Sequence, residues 1–128
     1  MRYVIANFML LFGLGTTLHA AEPKLVSMIK LLASPERFNN QRVVVKGFAH
    51  VEFEGTAIYL HKEDFDHGLT NNALRLAVPR NGAEKWVALS GRYVIVTAKF
   101  VWEPGDDIFG GMLVDITRFE PWPPEVAK

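Results

Sequence analysis

The chain has no cysteine among its 128 residues. That absence excludes disulfides, which small exported domains often use when their core is thin. It also excludes a bacterial lipid anchor, which is built on a cysteine at the cleavage point, and it removes a cysteine nucleophile. Charge of one sign is lacking too: 14 basic residues balance 14 acidic ones. A dedicated nucleic-acid binder is usually strongly basic, because phosphate contacts supply most of its affinity. Finally, no uninterrupted apolar run reaches the ~20 residues that cross a bilayer as a helix. The longest apolar stretch, Tyr3 to Leu14, is broken by Asn7.

That stretch is informative in another way. Arg2 precedes it, and a less apolar stretch ending in Ala20 and Ala21 follows it. Positive charge, apolar segment and small residues in that order are the layout of a secretory signal peptide. Residues 1–21 are therefore expected to be a cleaved leader, 22–120 a single folded domain and 121–128 a proline-rich tail without regular structure. Loss of Arg2 with the leader leaves 13 basic against 14 acidic residues, a net charge of −1. With no disulfide to rely on, stability rests on packing, and 49% hydrophobic residues supply it.

Hydrophobic periodicity orders the elements. Met28, Leu31 and Leu32 recur at helical spacing behind Ser27 as N-cap, and Ser34-Pro35 opens a further helical turn carrying Phe38. Residues 43–53 alternate: Val43, Val45, Ala49, Val51 and Phe53 share one parity, and Val44, Lys46, Phe48, His50 and Glu52 the other. This predicts a long strand with one buried face, bent by a bulge or coil at Gly47. A turn at Glu54-Gly55 leads into strands over 56–61 and 72–78, separated by a polar loop. A short helix over 83–89 offers Trp86 and Leu89 as a plug, and strands over 92–102 and 112–119 form the last hairpin.

Three strands, a short helix and two strands, preceded by a helix, is the element order of an all-β OB-fold, a five-stranded Greek-key barrel. An SH3-like barrel is the alternative. The residues SMIKLLASPERFNNQRVVVKGFAHVEFEGTAIYLHKEDF, with YVIVTAKF and DITRFE further on, resemble small bacterial exported OB-fold-like proteins, most distinctively over 45–64. The resemblance implies an OB-like fold in the cell envelope, periplasmic or secreted, and brings no catalytic residues and no cofactor.

Two constellations point to chemistry. Phe48 stands among polar neighbours on the outward parity, and OB-folds commonly bind extended ligands on the face of their second and third strands. With Tyr59 and Arg75 it would form a stacking platform, unless the N-terminal helix covers it. His50, Glu52 and Glu54 project from one strand face at spacings of ~7 Å. With His61 from the hairpin partner, His50 and Glu52 could hold zinc or copper, against the plainer reading of a solvated polar face. The Ile108-Phe109 pair beyond the acidic EPGDD hairpin would gate a groove, hold a partner or serve as one buried anchor. No serine sits in a nucleophile-elbow pattern and no cleft for paired carboxylates is evident, so no enzyme is expected. The expected function is thus a non-enzymatic binding module of the bacterial cell envelope, recognising a protein segment or an oligosaccharide. The alternative is a metal-binding protein of the same compartment. Single-stranded nucleic acid is a weaker third reading, because the basic groove that tracks phosphates is missing.

Overall fold

The computed structural model describes residues 22–126; the expected leader lies outside the described residues. The chain runs β1 (Lys24–Leu25), α1 (Met28–Ala33), α2 (Pro35–Phe38), β2 (Arg42–His50), β3 (Ala57–Tyr59), α3 (Lys62–Asp66), a 3-10 turn (Thr70–Asn72), β4 (Ala73–Leu76), α4 (Ala83–Val87), β5 (Tyr93–Val101) and β6 (Met112–Pro121). β2 pairs antiparallel with β3 along one edge and with β5 along the other, so the sheet closes in the order β2-β3-β4-β6-β5. Within the barrel one pairing, β4 with β6, is parallel, and the short β1 adds a second parallel pairing on β2. A five-stranded mixed barrel with a helix between its third and fourth strands is the OB-type barrel, and the parallel closure sets aside the SH3-like alternative.

The inward parity of β2 is the one the sequence indicates. Val43, Val45 and Ala49 meet Ile58, Leu74, Val94, Val96, Phe100 and Leu113 in one core. Met28 and Leu31 of α1 join that core, and Ser27 caps the helix by accepting from the Lys30 amide at 3.3 Å. At the opposite end of the sequence order, Trp86 of α4 stacks on Phe119 with ring centroids 4.1 Å apart, and Leu89 packs on the core.

Three expectations are corrected. β2 ends at His50, not at residue 53, because Thr56 turns the chain: its hydroxyl donates to the Glu52 carbonyl at 2.9 Å and accepts from the Glu52 amide at 3.1 Å. Phe53, placed inward by parity, is therefore fully exposed. Gly47 carries no bulge, since β2 keeps unbroken register with β5 from Arg42 to Phe48. The irregularity lies instead between Val114 and Arg118 of β6, where Asp115 has φ 48° and Arg42 donates to the Asp115 carbonyl and the Thr117 hydroxyl. The start of the tail is also ordered: β6 extends to Pro121, the Trp122 amide donates to the Tyr93 carbonyl at 2.9 Å, and the Trp122 ring lies 3.7 Å from the Lys46 ammonium.

Candidate functional site

Strand register explains which outward residues meet. Tyr93, Phe48, Tyr59 and Ala73 are successive Cα partners across β5, β2, β3 and β4, and His50, Ala57 and Arg75 form the next row. The predicted trio Phe48, Tyr59 and Arg75 does converge on one face. Its aromatic part is closed, however, while Arg75 is exposed. Phe48 and Tyr59 are buried in a second, smaller cluster with Ala57, Ala73 and Phe109, against which Phe65 packs.

The cover is α3, which sequence reading treats as polar loop, and not the N-terminal helix. Phe65 lies 6.0 Å from Phe48, 5.3 Å edge-on from Tyr59 and 4.1 Å from the His50 ring, stacked. Ala73 and Ala57 are small where Phe109 descends, and Arg75 places its guanidinium 4.9 Å from the Phe109 ring. Of the loop-tip pair, Phe109 is thus the buried anchor and Ile108 remains exposed. Burial, and secondarily the Glu52 carboxylate, pushes the Tyr59 phenol above its usual pKa.

α3 is held down by a satisfied polar network. The buried Asp64 carboxylate accepts from the His61 amide at 2.9 Å and from the Asn72 side chain at 2.8 Å, while the Leu69 amide bonds the Asp64 carbonyl at 2.8 Å. Asp64→Ala removes the acceptor of the His61 amide and the Asn72 side chain, while the Leu69 bond to the backbone carbonyl remains, and is expected to cost about 1–2 kcal/mol locally. Hydrogen exchange checks it: protection falls over residues 61–72 and is retained in β2 and β5.

Of the three candidate metal ligands, His50 and Glu52 meet each other and His61 is engaged elsewhere. His50 Nε2 contacts Glu52 Oε1, and His61 caps α3 with its Nδ1 3.5 Å from Asp64. Among the described residues, no three histidine, aspartate or glutamate side chains are grouped so as to hold a metal ion.

An open site lies one row further along, at the end of the barrel. The β2–β3 loop and the chain from the end of β4 into α4 enclose a groove of about 780 Å³. Val51, Leu76, Val78 and Val87 give it aliphatic walls; Phe53 stands at its mouth with Glu52 and Glu54 on one bank and Arg80 on the other. Comparison with protein-family models, curated proteins and solved structures finds no match. The chemistry of this groove is therefore argued from its own residues. An uncovered phenyl ring above aliphatic walls can take one apolar side chain, and the Glu54 carboxylate beside it, unlike that of Glu52, has no ion-pair partner among the described residues. Sequence reading misses this site because Phe53 continues the inward parity of β2; only the Glu52–Thr56 staple turns it out. Among the described residues no helix is long and apolar enough to cross a membrane.

Proposed function

We propose that the protein is a non-enzymatic OB-type binding module of the bacterial cell envelope that takes an extended protein segment into the groove between residues 51–56 and 76–87. The observation that carries this reading is Phe53, a fully exposed phenyl ring at the mouth of a groove with aliphatic walls. Apolar pockets with a few placed polar groups are the usual form of ligand sites, and exposed aromatics beside them are typical binding hot spots. Aliphatic walls favour a peptide side chain over a sugar, and Glu52 and Glu54 favour a segment with basic residues beside the apolar one. The leader pattern of residues 1–21 and the resemblance over 45–64 support export.

The test is an amide chemical-shift titration with nine-residue peptides carrying a central leucine or valine flanked by lysines, run beside cell-wall oligosaccharides. Shifts confined to residues 51–56 and 83–87, weakened about tenfold or more by Phe53→Ala, are the expected result. Oligosaccharide shifts at the same amides would reassign the ligand; no response to either would sink the reading.

A further inference from the structure

Two apolar exposures on this molecule carry opposite charge. Phe53 has carboxylates beside it. The other, at the β1–α1 junction, has lysines: Leu25 and Ile29 are 67% and 61% exposed and line a depression of about 450 Å³ with Met28, Leu60 and Lys46. Lys24 and Lys30, both exposed, immediately flank Leu25 and Ile29, and across residues 22–30 the one acidic residue is Glu22. The half-buried Trp122 ring lies 3.7 Å from the Lys46 ammonium at the same face.

We propose that this face rests on an anionic lipid surface, with Leu25 and Ile29 entering the headgroup boundary and Lys24, Lys30 and Lys46 meeting the lipid phosphates. Projecting aliphatics ringed by lysine, with an aromatic ring beside them, are the features by which proteins lie on membranes without spanning them. Charge selects the occupant. A second copy of the same face would bring lysine against lysine. A peptide strand finds little backbone to pair with, because β1 is two residues long and β2 is itself paired with β3 and with β5. A lipid surface needs neither a free strand edge nor a deep pocket.

Because the chain has no cysteine, a single introduced thiol can be labelled with an environment-sensitive dye, at Ile29→Cys for this face and at Phe53→Cys for the acidic groove. Each labelled, purified chain is mixed with phosphatidylglycerol vesicles or with phosphatidylcholine vesicles; residues 1–21 are common to all samples. The expected result is a blue-shifted, brighter signal at position 29 with phosphatidylglycerol only, none at position 53, and reversal at about 1 M salt, where the screening length falls to about 3 Å. Lys24→Gln and Lys30→Gln should each weaken partitioning about fivefold, with melting temperatures unchanged. Equal signals with both lipids, equal signals at both positions, or no signal at position 29 would overturn the proposal. So would a response at position 29 to poly-aspartate but not to vesicles, which would assign the face to an acidic protein.

Discussion

Gly47→Val should destabilise the barrel by about 3 kcal/mol, lowering the melting temperature by roughly 12 °C for a domain of this size. The reason lies in what a side chain there would meet. A Cβ on Gly47 would come within 2.6 Å of Met28 Cε and 2.8 Å of the Tyr59 carbonyl oxygen, with Ile58 Cβ at 3.3 Å. The methionine tip can swing away, since its unbranched side chain is adaptable. The carbonyl cannot, because β3 is fixed by register to β2 on one side and β4 on the other. This gives the prediction an internal control. In a Met28→Ala background the cost of Gly47→Ala should shrink without vanishing, and urea unfolding of the four proteins measures the coupling. A neutral Gly47→Ala in the unmodified protein would contradict the close approach.

Gly47 also shows how far sequence reasoning reaches. A glycine inside a strand signals that something special happens to the backbone, and a bulge is the usual inference. The actual cause is the close approach of neighbours from other elements, the Tyr59 carbonyl of β3 and the Met28 side chain of α1, and periodicity carries no information about either. The barrel itself was legible because the parity of β2, the strong strand around 93–101 and the helical turn between the third and fourth strands each follow from local pattern. The closed aromatic face was not. Lys62–Asp66 has one large apolar residue, Phe65, and its stop and start signals are unusual, with His61 at the N-cap and Asp64 returning to it. Such a helix is too short for a 3.6-residue period to emerge. Parity puts Phe48, Tyr59 and Arg75 on the right face, but Phe48 and Tyr59 are buried there while Arg75 is exposed. Phe53 was misplaced for a related reason: alternation predicts direction only while the strand continues, and the threonine that ends it is an ordinary residue in sequence.

Phe100→Ala should be the most damaging single substitution, costing about 4 kcal/mol. Phe100 is the largest fully buried side chain among the described residues, and the space it leaves has little means of closing. Its backbone is fixed from two directions: the amide donates to the Gln41 carbonyl at 2.9 Å, the carbonyl accepts from the Asn40 amide at 2.8 Å, and the residue pairs with Leu113 of β6. The ring also occupies the place a side chain at Gly111 would need, with Phe100 Cε2 2.5 Å from that Cβ position. Removal of the ring therefore leaves a cavity bordered by glycine on one side and by strands held in register on the others. A domain has typically about 5–15 kcal/mol in total, so a loss of this size should bring urea unfolding to a much lower midpoint with an unchanged slope. Phe100→Leu, which keeps most of the volume, should cost about 1.5 kcal/mol or less. Phe53→Ala supplies the contrast, since a fully exposed ring can be removed within about 0.5 kcal/mol of neutrality. The two phenylalanines thus separate stability from binding: a Phe53→Ala protein that unfolds as easily as Phe100→Ala would mean that the ring at the groove mouth packs against the barrel and is not free to meet a partner.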